Sequence, residues 1–303
     1  MALTARIALT GPPAEDPEDY LCASLGVIFP DDVTNQHGDS EHGLTYTSPH
    51  LPKPLTLSLA DPSGAAEREL FSHYLWNSSL MLAELIEAGT LKLDTPETGA
   101  SPIAPPASDF DITGLSTIEF GAGTALPSIM SALLGTRRVV VTDYPAPVVI
   151  ETLRRNVAAN VQPSFAPSGA LAEGQVVEVE GHGWGELDSP LARANEHAFD
   201  RVFVADCLWM PWQHANLLQS VDWFLGQGPA ARVWVVAGLH TGRDKMNGFF
   251  VKEALAARGL EVERIWERDC DGRDREWSWD RGIEDVSERK RWLVVAVLKR
   301  MLL

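Results

Sequence analysis

The turn after residue 120 constrains this chain more than any other feature. A strand-like run at residues 115–120, LSTIEF, stops at Gly121-Ala122-Gly123. Apolar side chains then recur at Leu126, Ile129, Met130, Leu133 and Leu134, the spacing of one helix face. Glycine at both turn positions lets the backbone approach a ligand where a Cβ would collide. The helix beyond presents its first N–H groups to the same space. A GxG turn also serves plain tight packing, so by itself it leaves function open.

The alternation continues downstream. Strands are expected at residues 137–143, 175–180, 199–209 and 232–239. Between them lie helical faces: Val148, Val149, Thr152, Leu153, Asn156 and Val157, then Leu217, Leu218, Val221, Phe224 and Leu225, then residues 245–257. Helices between strands imply a parallel sheet covered on both faces. The ending differs, because 261–267 and 291–299 read as strands joined by a charged loop without helical period. Such a pair is antiparallel or belongs to separate sheets. The expectation is an α/β, doubly wound, Rossmann-like seven-stranded sheet, mostly parallel with a C-terminal antiparallel hairpin. Upstream, one amphipathic helix is expected over residues 65–88, on a stripe through Leu70, Phe71, Tyr74, Leu75, Leu82, Leu85 and Ile86. Residues 95–109, dense in Pro and Ser, read as a loop. Residues 1–64 read as an irregular N-terminal extension, a lid or appended hairpin with a strand at 56–59, ahead of a domain over 65–303.

Composition excludes several classes. Lys and Arg number 25 against 42 Asp and Glu, a formal charge of -17. Nucleic-acid binding is disfavoured, because phosphate recognition needs clustered basic residues. A basic partner suits the charge, although solubility alone also accounts for it. The three cysteines, Cys22, Cys207 and Cys270, are far apart, and the eight histidines show no ligand spacing. No metal or disulfide framework is expected. The N-terminus makes a poor signal peptide, and no apolar run reaches the roughly 20 residues that span a bilayer. A monomer acting in the cytoplasm, away from membranes, is expected.

The residues around the turn narrow the ligand. A dinucleotide fingerprint needs a third glycine, and Leu126 stands there instead. Glu119, two residues before Gly121, would repel a pyrophosphate but suits an ammonium or sulfonium. Asp143, ending the second strand, is placed to accept from a ribose diol. An adenosine carrying positive charge fits, which describes S-adenosylmethionine.

ExGxG after the first strand, TDYP after the second and ADCLW after the fourth resemble class I, seven-β-strand methyltransferases. More narrowly, the chain resembles the nicotinamide N-methyltransferase-like fungal proteins and the protein lysine methyltransferases acting on chaperones and elongation factor 1-alpha. HYLWNSSLMLAELIE at 73–87 is similar to that family's first-helix motif, and GHGWGE at 181–186 to its Trp-Gly step. The similarity runs from about residue 71 onward. It implies that Trp76 flanks the methionine moiety and that Gly121, Ala122 and Gly123 form the cofactor loop above Glu119. It implies further that Asp143, with Tyr144 beside it, holds the ribose, that Trp184 meets the adenine, and that Ala205 and Asp206 line the transfer mouth.

Asp206 and Trp209 form an acidic-x-x-aromatic tetrad in which Cys207 and Leu208 stand where amide and adenine methyltransferases resemble Pro-Pro. Amide and adenine acceptors are therefore disfavoured. An amine suits both the carboxylate and the aromatic face, provided it loses a proton to Asp206 or water. His214 reads as a helix cap or surface group rather than a base, and Cys207 as a small buried residue rather than a nucleophile. Residues 269–290, with Trp277 and Trp279 among dense charge, read equally as a substrate-facing flap or a solvated loop. The leading expectation is an S-adenosylmethionine-dependent N-methyltransferase acting on a lysine or N-terminal amine of a protein, such as a translation elongation factor. The alternatives are a small-molecule methyltransferase acting on a pyridine or amine, and an inactive cofactor-binding interaction module.

Overall fold

The computed structural model describes residues 2–10, 34–38, 42–60, 74–93, 103–239 and 242–301. Strand β1 (Ile7–Thr10) is followed by β2 (Gln36–His37), β3 (Gly43–Tyr46) and β4 (Leu55–Leu57). Strands β1, β3 and β4 form a small antiparallel sheet. Strand β5 (Leu75–Trp76) pairs with β2 and leads directly into helix α1 (Asn77–Thr90). The long helix expected from residue 65 is therefore corrected: Tyr74, Leu75 and Trp76 precede it. Leu75 and Trp76 take extended backbone because their N–H and C=O groups pair with His37 and Gln36. The Leu70 and Phe71 part of that expected stripe lies outside the described residues.

The central layer follows in order. It comprises β6 (Ser116–Phe120), α2 (Leu126–Leu133), β7 (Arg138–Asp143), α3 (Pro147–Asn160), β8 (Val176–Gly181), α4 (Pro190–Ala194), β9 (Arg201–Ala205) and α5 (His214–Phe224). Then come β10 (Arg232–Gly238), α6 (Arg243–Asn247), α7 (Lys252–Ala256), β11 (Leu260–Asp269), β12 (Asp274–Glu276), α8 (Val286–Arg291) and β13 (Trp292–Arg300). The sheet order is β12-β11-β13-β10-β9-β6-β7-β8. From β10 to β8 all neighbours are parallel, and β13 and β11 close the sheet antiparallel. The seven expected strands are present, with short β12 added at the edge inside the supposed loop, where Arg268, Glu267 and Trp266 offer it a free edge. Residues 245–257 are not one helix: a 3-10 turn at Gly248–Phe250 divides them.

Alternation along the parallel strands sends Val139, Val141, Phe203, Trp234 and Val236 into one core. Val140, Val202, Val204, Val233 and Val235 enter the other. A parallel sheet buried on both faces requires this double patterning. The first core also takes Leu3, Leu44, Tyr46, Leu55 and Leu57 from the N-terminal strands. Asn156 and Asn160 on α3 bind the backbone of Ser58 and Thr56 in both directions, and Arg6 pairs with Glu84 and Glu87 of α1. The described part of the small sheet thus docks behind the helices rather than covering the strand ends as a lid. No helix among the described residues is long and apolar enough to cross a membrane.

Chain order reverses between β6 and β9. From β6 the sheet grows through β7 to β8, and from β9 it grows the other way. Ligands in open α/β sheets bind outside the carboxyl ends at such a switch point.

Candidate active site

The wall on the β6 side is the glycine turn. Gly121 and Gly123 sit at φ of +61° and +55°, a region that L side chains rarely adopt. A Cβ on Gly121 would stand 2.8 Å from Cys207 Sγ and 3.3 Å from Trp184 Cζ2. Space and backbone both require glycine there, whereas at Gly123 only the backbone does. The turn is tied to β7: the Gly123 amide donates to Asp143 Oδ2 at 2.8 Å and the Tyr144 amide to Oδ1 at 2.7 Å. Burial raises the Asp143 carboxyl above its usual range, and the two amides oppose that rise.

Glu119 is placed differently from the sequence expectation of a carboxylate facing a cationic ligand. It is fully buried beneath the turn, off the cavity wall, and accepts from the Ser128 amide at 3.1 Å and from the Ser128 hydroxyl. It anchors the first turn of α2. Burial pushes its carboxyl up to about 8, with the Ser128 bonds opposing.

On the β9 side the strand ends at Ala205 because Asp206 turns to φ +58°. Residues 206–209 therefore leave the strand expected to include them. A non-glycine residue in left-handed backbone is strained and persists only when its surroundings hold it. Here they do. Asp206 Oδ1 accepts from Ser78 Oγ at 3.0 Å and from the Gly238 amide at 2.9 Å, while its own amide donates to Val236 O at 2.8 Å. Ser78 was missed by sequence reasoning, since a small hydroxyl in the first turn of a helix carries no signal until α1 is seen to abut β9. Trp209 is half-buried and meets Trp212 edge-on at 6.3 Å.

Cys207 is buried, its thiol donates to Phe120 O, and burial holds it well above its ordinary value. It has no thiolate character. His214 opens α5, but it is neither a cap nor a surface group: its ring is buried against Phe249, with Nε2 2.9 Å from Leu208 O. Burial lowers its basicity.

A third wall follows β8. The buried His182 ring bonds Ser220 Oγ at 2.9 Å, and that oxygen accepts from the Gly185 amide at 2.8 Å. Burial drops the imidazole to about 4. This clip, absent from the sequence reading, fixes the turn that presents Trp184.

The three walls enclose a cavity of about 490 Å³. It gathers Trp76, Gly121, Ala122, Gly123, Asp143, Tyr144, Trp184, Ala205, Asp206 and Trp209; of the expected cofactor and mouth residues only Glu119 is off its wall. Ser79, Glu186, Met210 and Gln213 also line it and were not foreseen. Its charged lining is Asp143, Glu186 and Asp206, with no Lys or Arg among the described residues.

A model of lysine methyltransferases matches residues 65–253. The chain belongs to this family. As a member it is similar to the Gibberella zeae protein N-terminal and lysine N-methyltransferase EFM7, at 29% identity over 85% of this chain and 84% of that protein. The Schizosaccharomyces pombe protein of the same name is 27% identical over 72% and 74%. Among solved structures, magnesium protoporphyrin IX methyltransferase from Synechocystis aligns with 79% of this chain and 89% of its own, at 12% identity and TM-score 0.42. The family's cofactor is S-adenosylmethionine, and the site fits it. The cradle at Gly121 is closed to any Cβ, a carboxylate stands at the end of β7, and the charged lining is wholly acidic, suited to a sulfonium and an ammonium.

Proposed function

We propose that this S-adenosylmethionine-dependent methyltransferase transfers to a primary amine of a protein, a lysine side chain or the N-terminus, in an acceptor such as a translation elongation factor. The observation that carries the reading is the Asp206 carboxylate, held in strained backbone by Ser78 and Gly238 on the cavity wall beside Trp209. A protein stores strain at such a point when the side chain's direction matters. The names of the fungal relatives support the same acceptor class.

Bound, the cofactor supplies a methyl on sulfonium that is already electrophilic. The chain's own residues bind and orient. Asp143 would accept from the ribose diol, Tyr144 would border it, and Trp184 would face the adenine. Gly121, Ala122 and Gly123 would let the backbone close on the ligand above Glu119, and Trp76 would flank the methionine portion. Ala205 and Asp206 would line the mouth. There Asp206 would orient the amine and Trp209 would present a π face to its ammonium form. The amine proton leaves to Asp206 or water before attack. Holding the nitrogen in line supplies much of the rate. We place the catalytic unit at residues 65–303, with residues 1–64 as an N-terminal extension, acting as a monomer in the cytoplasm without nucleic-acid or membrane partners.

Incubation with methyl-labelled S-adenosylmethionine and either a cell extract or a metabolite pool tests this. Label in one protein band, lost in Asp206→Asn, is expected. Label confined to small molecules would overturn the protein acceptor, and binding without transfer would overturn the enzyme.

A further inference from the structure

Tryptophan is seldom left in water without use, because its large apolar body and single N–H suit it to interfaces. Two tryptophans are exposed, Trp212 at 69% and Trp279 at 51%. Trp212 lies in the turn Pro211–Gln213, whose neighbours Met210 and Gln213 face the cavity, and it meets Trp209 edge-on. Two residues later the buried His214 ring begins a run of ring contacts. It passes to Phe249 at 5.5 Å, then to Phe250 at 5.4 Å, Trp277 at 5.9 Å and Trp279 at 6.1 Å. Trp212 thus stands beside the mouth, and Trp279 is the exposed end of a separate aromatic ridge that is buried from His214 to Phe250.

The far end is held rigidly. Asn247 donates to Trp279 O at 2.8 Å, and Arg243 donates to Ser278 O at 2.9 Å. Arg243 also pairs with the fully buried Glu267 and with Glu284, and lies 5.0 Å from the Trp277 ring centroid. Holding the backbone that carries the indole lowers the ordering cost of binding. The charge around it selects the partner. Residues 269–290 carry eight carboxylates against five basic side chains, the chain carries -17, and the charged groups lining the cavity, Asp143, Glu186 and Asp206, are all acids.

We propose that Trp212 and Trp279 form a docking surface, outside the cavity, for the folded body of a basic protein whose amine enters the mouth. The inference rests on the protein-amine reading and adds how the acceptor is held. Basic side chains of the partner stack on the indole faces and are steered there by the surrounding acids.

The test uses the full chain, whole elongation factor 1-alpha and a short synthetic peptide from its amino terminus. The double variant Trp212→Ala/Trp279→Ala is expected to raise KM for the whole protein about thirtyfold. Its kcat, its KM for the peptide and its cofactor affinity should match wild type, with circular dichroism confirming the fold. An unchanged KM for the whole protein overturns the docking surface. So does an equal rise for protein and peptide, which would place the effect in the cavity. A wild-type dimer that becomes monomeric in the variant, seen by sedimentation, also overturns it by assigning the rings to self-association. Wild-type enzyme that labels neither acceptor overturns the amine reading itself, and that failure is visible before any substitution is made.

Discussion

Replacing Gly121 by alanine separates two physical demands that meet at one atom. The residue's φ of +61° costs a non-glycine residue about 1–2 kcal/mol. The new methyl would also stand 2.8 Å from Cys207 Sγ, a distance at which one atom must move. Cys207 cannot swing away freely, because it is buried and its thiol donates to Phe120 O. Together the effects should lower unfolding free energy by about 2–4 kcal/mol, since forced overpacking adds at least 1 kcal/mol. The same methyl lies 3.3 Å from Trp184, on the cavity side, so cofactor Kd should rise by roughly tenfold or more, about 1.4 kcal/mol. Denaturant titration reads the first quantity and calorimetric titration with S-adenosylmethionine the second. Adding Cys207→Ala removes the sulfur contact and should return about 1 kcal/mol of stability as a coupling energy. The affinity loss should remain, because the Trp184 contact does not involve the sulfur. A Gly121→Ala protein with wild-type stability and affinity would refute the reasoning outright.

Ser78→Ala removes a donor to Asp206 Oδ1, and a hydrogen bond to a charged group contributes about 1.5–3 kcal/mol. kcat should fall roughly 10- to 100-fold with cofactor Kd unchanged, and Ser78→Thr should recover part of it; an equal loss in cofactor binding would contradict the positioning role. Glu119 holds its proton up to about 8 in the folded chain, whereas the unfolded chain releases it near 4.5, so the folded state binds more protons between these values and stability falls as pH rises through that window. Glu119→Gln should flatten this slope, read as unfolding free energy at pH 5, 6.5 and 8, and an unaltered slope would refute the assignment. Arg243→Ala strips the buried Glu267 of one of its three arginine partners, which should cost about 2 kcal/mol or more and expose residues 274–291 to limited proteolysis. Unchanged protease resistance would show that the ridge is held by other contacts.

Much of this molecule was legible in its residues, and the misses share a cause. The central parallel strands announce themselves because both faces are buried and carry apolar runs, as in Val139 to Val141 and Val202 to Val204. Asp143 stands out because it terminates such a run, whereas Asp206 lies inside the expected strand 199–209 and is marked by the resemblance of its tetrad. The helical spacing runs on through Tyr74 and Leu75, while the pairing of Leu75 and Trp76 with β2, some 40 residues away, decides the backbone ahead of α1. Glu119 suits a cationic ligand by its position before the turn, but spacing does not show that Ser128 of α2 takes its carboxylate instead.

What the residues alone determine, then, is local and periodic. They set the strand–glycine–helix turn, the order of elements, and carboxylates at the ends of particular strands. Only the tertiary structure decides what converges. Ser78 reaches Asp206 across 128 positions, Ser220 and His182 hold the Trp184 turn together, and Phe250 meets Trp277. These contacts join segments distant in sequence. No period or spacing along the chain encodes them, because they exist only once burial of both sheet faces has brought the helices and loops to one edge.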